Sequence, residues 1–448
     1  MLTLRSPTLF RAFRLGMTCL ALWILPSAGH GQTLRNVQEA LAAGRPDIAV
    51  ATLNEIEPET EEDRRQYLFL YGLAAIELGE YDVAISALER LVTATPGLPR
   101  PRLELARAYF LNGNDGNARQ QFLLVLGGDL PPEVVANVQI FLDQIEARRD
   151  WYFSVTGGVA PDTNVNAAST SRTVRFGGFD EGIEFTRSDD SVANSGFGLE
   201  LISRAGKFFP YGDRRNRFFV KGEVISRDYA NITFDDLQGT VQIGHGWQWQ
   251  SAVLNIGPIH GRRWFAADPY SQTQGLRIDG AVRTAPRWTW NAFVEVAEDT
   301  LIDRRLDDDR QQTVDRIYVS AGPTYSLSPK TRVGLSLGAL ANDGDNDDDD
   351  KSGMFIGLRF YTEFENGLTV SLAPRITGER FHAERPIVAA NERRSDITYS
   401  FTTEISHRQF RINGLQPYVQ LSLSKRESVS EFYEYERARV FAGLTRQF

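Results

Sequence analysis

The sequence predicts an α + β membrane protein: an N-terminal α-helical solenoid followed by a transmembrane antiparallel β-barrel of about 14 strands. Three observations predict it. Gly44, Gly79 and Gly113 recur at spacings of 35 and 34 residues inside a stretch of helical period. After Asp150 the apolar pattern changes to period two, in segments of about ten residues. The first thirty residues have the layout of an export signal, and no later segment offers the eighteen uninterrupted apolar residues of a transmembrane helix.

Residues 1–31 read as a signal peptide. Arg5, Arg11 and Arg14 precede the apolar run Leu15 to Leu25, and small residues follow at Ser27, Ala28, Gly29 and Gly31. A membrane anchor is the alternative, but this run falls well short of the roughly twenty residues that a bilayer requires. The single cysteine, Cys19, lies inside it. The chain after the signal is therefore free of cysteine, which excludes disulfides, Cys-ligated zinc and thiol catalysis. A net charge of −9 argues against a nucleic-acid partner, because phosphate contacts need clustered Lys and Arg.

Residues 32–150 read as a periplasmic helical domain. Five residues after each repeated glycine stands an alanine: Ala49, Ala84 and Ala118. Nine after stands a large apolar residue, Leu53, Leu88 or Phe122, and twelve after comes Ile56, Leu91 or Val125. This order at this period resembles the tetratricopeptide repeat (TPR), a helix–turn–helix unit. The middle unit matches best, with Gly72, Gly79, Tyr81, Ala84 and Pro96 at the repeat's usual places, while the first has Pro46 where the repeat prefers tyrosine. Glycine is expected to make each turn, alanine to permit close crossing of the helices, and proline to stop the second helix. Residues 131–148 then form a capping helix.

Residues 151–448 read as an outer-membrane β-barrel. Val333, Leu335, Leu337 and Ala339 alternate with Arg332, Gly334, Ser336 and Gly338; Ile278, Gly280 and Val282 alternate with Arg277, Asp279, Ala281 and Arg283. A soluble sandwich also alternates. Against it stand the alternation of short turns (328–330, 365–367) with longer polar loops (342–352, 382–393), and tryptophans near strand ends at Trp151, Trp247, Trp249, Trp288 and Trp290. Strands are expected at roughly 151–160, 193–205, 217–229, 236–249, 252–266, 272–284, 287–299, 311–326, 330–341, 353–365, 367–381, 393–408, 416–427 and 435–448. The terminal aromatic Phe448, after Val440, Ala442 and Leu444, resembles the signal by which barrels engage the barrel-assembly machinery, with outer-membrane lipids as the other partner.

Few motifs suggest chemistry, and the chain reads as a non-enzyme. Gly334-Leu335-Ser336-Leu337-Gly338 matches the hydrolase pattern G-x-S-x-G, which needs a strained strand-to-helix turn to expose its serine, whereas here it lies within an alternating strand. His245, His260, His382 and His407 have no metal spacing. The acidic run 342–350 is either a solvated loop tip or a cation site lacking the closing glutamate of an EF-hand. Lys221, Glu223, Arg277, Asp279, Arg283 and Glu295 fall on the polar sides of their strands, where they either tune what passes through a lumen or fill it with ion pairs.

The segment Trp151 to Ala167, WYFSVTGGVAPDTNVNA, opens the barrel with a strand and the turn Pro161-Asp162-Thr163-Asn164-Val165-Asn166. With the repeats before it and the strand estimate after it, this resembles the surface lipoprotein assembly modulator (Slam) family. The resemblance implies export of a protein client, a lipoprotein or a related secreted β-rich protein, with no cofactor. It also implies that the repeats handle the client while the barrel provides the route. By the repeat register, Phe69, Leu73, Arg107 and Phe110 would line the concave client face. Two alternatives remain at this level: a polysaccharide exporter, which also joins repeats to a barrel, and a diffusion porin, which needs no repeats.

Overall fold

The computed structural model describes residues 31–148, 151–176, 183–212, 215–249, 251–302, 312–345, 349–364, 366–384, 393–407, 410 and 415–447. Residues 1–30 of the expected signal peptide and Phe448 lie outside them. By internal contacts the chain divides into two units. The first is residues 1–148 with the turns 326–331 and 363–367, and the second is the remainder.

The first unit is helical. Its elements are α1 (Gly31–Ala42), α2 (Pro46–Asn54), α3 (Glu61–Leu78), α4 (Tyr81–Ala94), α5 (Pro99–Leu111), α6 (Asp115–Val125) and α7 (Pro132–Arg148). Among the described residues three helix pairs precede the last helix, as the repeat spacing predicts. Gly44, Gly79 and Gly113 stand between the helices of each pair with φ of +73°, +82° and +79°, a left-handed backbone that glycine enters without penalty. Ala49, Ala84 and Ala118 are fully buried where the helices cross, as are Leu53 and Leu88, with Phe122 nearly so. Pro46 is accommodated because it is the first residue of α2, where a backbone N–H has no intrahelical acceptor to lose. Two apolar clusters result, one around the first repeat and one around the second, third and α7. Tyr67 and Tyr71 of α3, stacked 5.7 Å apart, pack against both. No described helix is long and apolar enough to cross a membrane.

The second unit is a closed barrel of 14 antiparallel strands. Its first strand is β1 (Trp151–Asp162). A small hairpin in a sheet of its own follows, β2 (Thr173–Phe176) and β3 (Ile183–Thr186), outside the strands expected from the sequence. The barrel continues with β4 (Gly196–Tyr211), β5 (Asn216–Tyr229), β6 (Asp236–Gln248), β7 (Ala252–Phe265), β8 (Asp268–Ala285), β9 (Trp288–Leu301) and β10 (Thr313–Ser328). It is completed by β11 (Thr331–Gly344), β12 (Lys351–Glu363), β13 (Leu368–Glu384), β14 (Arg393–His407), β15 (Gln416–Ser428) and β16 (Tyr435–Gln447), which closes on β1.

Period two now has a physical meaning. Phe197, Leu199 and Leu201 of β4 are exposed, while Gly198 and Glu200 between them are buried. On β12, Met354, Ile356 and Leu358 are 73%, 47% and 51% exposed. A soluble protein would bury such rows, since each apolar Å² left in water forgoes about 25 cal/mol. Lipid removes that cost. The five singled-out tryptophans stand at one end of the barrel, where β1 and β9 begin and β6 ends.

Candidate functional site

The inner wall is where the barrel can act on anything passing through it. The six charged candidates stand at positions that alternate with the apolar residues of their strands. On β5, Lys221 and Glu223 alternate with the exposed Val220 and Val224. On β8, Arg277, Asp279 and Arg283 alternate with Leu276, Ile278 and Val282, and Glu295 of β9 is buried between Val294 and Val296. Two of their clusters are tightly paired. Arg277 Nη2 lies 2.6 Å from Glu295 Oε2, while Glu295 Oε1 takes Arg316 Nη1 at 2.8 Å. Arg316 continues to Asp299 at 2.9 Å. Lys221 Nζ reaches Asp279 Oδ1 at 3.3 Å, and Asn255 Nδ2 donates to the other oxygen of that carboxylate at 2.8 Å. Glu223 pairs with Arg204.

A second network, absent from the sequence reading, runs across six strands. Arg437 of β16 holds Asp162 of β1 at 2.5 Å; Arg439 reaches Glu200 of β4 at 2.5 Å and approaches Asp162 at 3.9 Å. Glu200 also takes Arg227 of β5 at 2.7 Å, and Arg227 and Arg263 share Asp236 of β6 at 3.4 and 2.8 Å. The alternation shows that these residues face inward, but which acid meets which base is set by strand register, and sequence alone leaves that open.

The turn after β1 belongs to the same network. The Asp162 carboxylate accepts the Asn164 backbone N–H at 2.9 Å. The Asn164 amide, almost fully buried, donates to the carbonyls of Ala168 and Glu436 at 2.8 and 3.0 Å. Thr163 exchanges bonds with Ala438, its N–H donating at 3.0 Å and its hydroxyl accepting at 2.9 Å. Asn166 donates to the carbonyl of Val192 and accepts from the N–H of Asn194. The motif thus binds β1 to β16 at one end of the closing seam.

From β9 to β14 the inner wall is different. There a cavity of about 830 Å³ is lined by small and hydroxyl side chains, among them Ser320, Gly334, Ser336, Ser371 and Thr402, with Arg332, Arg359, Arg375 and Glu404. Ser336 lies mid-strand in β11, its hydroxyl donating to the Gly357 carbonyl at 3.4 Å, far from the sharp turn that a hydrolase serine requires. Among the described residues, no group of three or more His, Asp or Glu side chains is arranged to hold a metal. Of the acidic run, residues 346–348 lie outside the described residues; Asp345 accepts from the Thr313 hydroxyl and N–H, and Asp350 from the Gly344 N–H.

In the helical unit, Phe69 and Leu73 of α3 are partly buried, with the Arg100 guanidinium 5.9 Å from the Phe69 ring centre. Arg107 of α5 pairs with Glu77 at 3.1 Å and Glu104 at 3.6 Å. Phe110 is buried, edge-on to Phe141 of α7 at 5.0 Å, so it offers little free surface. Burial, with Tyr71 beside it, raises the Tyr67 phenol above its ordinary pKa.

The family model for the surface lipoprotein assembly modifier matches residues 151–448, the whole barrel. The chain belongs to that family. The tetratricopeptide repeat model matches residues 34–99. Curated relatives extend the likeness across both units. Surface lipoprotein assembly modifier 1 of Neisseria meningitidis serogroup B is 25% identical over 402 residues, covering 87% of this chain and 77% of its own. Its namesake in Haemophilus influenzae is 21% identical, covering 83% and 75%. Among solved structures, the outer membrane channel DcaP of Acinetobacter baumannii gives a TM-score of 0.39 at 12% identity, covering 66% of this chain and 96% of that one. This family member is therefore an outer-membrane barrel with an N-terminal repeat domain.

Proposed function

We propose that this protein assembles client proteins, lipoproteins or related secreted proteins, on the cell surface, its repeats binding the client and its barrel providing the route. The observation that carries the reading is the pairing of a helical repeat unit with a barrel of this family in one chain. Relatives named as surface lipoprotein assembly modifiers match through both parts. Repeat solenoids present a concave face to partners, and here Phe69, Leu73 and Arg107 supply it, with Phe110 packed behind. Only Arg149 and Asp150 separate the last helix from β1, so a client held by a periplasmic repeat domain has little slack. A short tether raises the effective concentration of what it holds.

The test is the protease sensitivity of a candidate lipoprotein on whole cells. Strains carry the full-length protein, the Phe69→Ala/Arg107→Ala variant, or no copy of the gene. Surface exposure is expected to vanish without the gene and to fall several-fold in the variant, with barrel assembly unchanged. Equal exposure in all three strains eliminates the reading and brings the porin and polysaccharide alternatives forward.

A further inference from the structure

The charges on the inner wall are not uniformly satisfied. Around the seam and through β4–β10, arginines meet carboxylates: Arg437 with Asp162, Arg227 with Glu200, Arg277 and Arg316 with Glu295. Such pairs fill the wall and leave little net field. In the cavity lined by β9–β14, the pattern breaks. Among the described residues, neither Arg359 of β12 nor Arg375 of β13 lies within ion-pair reach of a carboxylate. Arg359 is exposed although the alternation turns it inward, between Gly357 and Tyr361, so its guanidinium stands in lumenal water. Arg375 is held: it lies 3.6 Å over the Phe355 ring, which stacks on Tyr318, and donates to the Tyr318 hydroxyl at 3.3 Å. Stacking fixes the plane of a guanidinium while leaving its outer N–H edge available to an oxyanion.

The surroundings narrow the ligand. The wall beside the two arginines is made of short hydroxyl side chains and glycine, which leave room for a chain and offer hydrogen bonds to backbone amides. Among the described residues Glu404 is the one acid in the cavity lining, against Arg359 and Arg375, so the local field is positive in a protein whose net charge is −9. A confined, positively charged concavity concentrates anions. A planar, forked donor suits carboxylates, which it binds through two parallel hydrogen bonds.

We propose that this lumenal trough is a binding track for an extended, acidic polypeptide segment, with Arg359 and Arg375 engaging its carboxylates. The proposal rests on the reading that a polypeptide uses the barrel, and it names the chemistry of the segment received there. A strand rich in Asp or Glu fits, whereas a basic one is repelled.

The experiment uses the full-length protein in detergent and a fluorescent peptide of alternating Glu, Ser and Gly, read by anisotropy. Matched peptides carry Gln or Lys in place of Glu. The Glu peptide is expected to bind in a salt-sensitive manner, and Arg359→Gln/Arg375→Gln to weaken it at least tenfold. Arg359→Lys/Arg375→Lys keeps the charge and is expected to recover part of the affinity; folding of each variant is checked by its resistance to unfolding in cold SDS. Equal binding of the Gln peptide, or equal affinity in the Gln variant, overturns the proposal. So does displacement of the peptide by equimolar inorganic phosphate, which identifies a site for any small anion. If peptide binding fails while surface exposure of the client still depends on the gene, the trough is wrong and the export reading stands. If the peptide binds as expected but exposure is independent of the gene, the site stands and the export reading falls.

Discussion

Asp162 and Asn164 show how much the exchange of one carboxylate oxygen for an amide nitrogen settles. Asp162 is acceptor-only, and two arginines and a backbone N–H converge on it; Asn164 has donors as well, and its amide donates to two carbonyls while its oxygen takes the Ala168 N–H. Replacing Asn164 with Ala leaves buried groups on both sides of the seam unpaired, at a cost of about 1–3 kcal/mol. Asp162→Asn is expected to cost more, about 3–5 kcal/mol if the site is fully shielded and less as lumenal water screens it, because Arg437 loses its carboxylate, while Arg439 keeps Glu200. The measurement is the temperature at which the folded barrel unfolds in detergent. Both variants are expected to fall below the wild-type, with Thr284→Ala, at an exposed position of β8, as the unmoved control. Unchanged unfolding temperatures in the first two sink the account of the seam. The sequence marks this turn, through its spaced Asp, Thr and Asn, as a family feature. Its role is hidden there, because the partners at 436–439 stand more than 270 residues away.

Single elements follow the physics of their ends. Gly79, at φ +82°, caps α3, and its N–H bonds back to Ala75 and Ile76. Nothing crowds a Cβ there, so the cost of Gly79→Ala is the left-handed backbone itself, about 1–2 kcal/mol. Gly79→Asn is expected to cost less, since Asn tolerates that region. Thermal melting of the helical signal in the full-length protein orders the three; an Ala variant as stable as the parent contradicts the capping role. Helices were legible because their glycines, alanines and large apolar residues repeat in fixed order. Strand cores were legible too, but not their ends. The sequence places a strand at 272–284 where β8 begins at Asp268, and one at 330–341 where β11 continues to Gly344. An apolar band about 25 Å tall imprints alternation only on the membrane-facing stretch. Beyond it, segments such as Asp268 to Ser271 remain paired with no pattern to announce them. The hairpin β2–β3 carries no legible signal for a similar reason, being four residues a side and in a sheet of its own.

For the molecule as a whole, an even strand count puts both ends of the barrel chain on one side, with the tryptophans that begin β1 and β9. The loop after β11 then belongs to the opposite side. A Gly344→Cys variant is expected to react with a membrane-impermeant maleimide on intact cells, and reaction only after lysis reverses the orientation. The architecture was legible because two periods, near 34 and at two, cannot be confused; the trough at Arg359 and Arg375 was not, since an unpaired charge is defined by neighbours on other strands. The seam has a further consequence for how this barrel comes into being. Each other pairing in the barrel joins a strand to the next barrel strand along the chain, but β1 meets β16 through residues such as Thr156 and Thr445, 289 positions apart. So long as β16 is unplaced, β1 has a bare hydrogen-bonding edge, and so does the newest strand, each a template for the wrong neighbour. Closure is therefore the slow, high-contact-order event of maturation. The Asp162–Asn166 turn, which can complete its bonds only when residues 436–439 arrive, serves as the clasp that distinguishes a finished cylinder from a curled sheet.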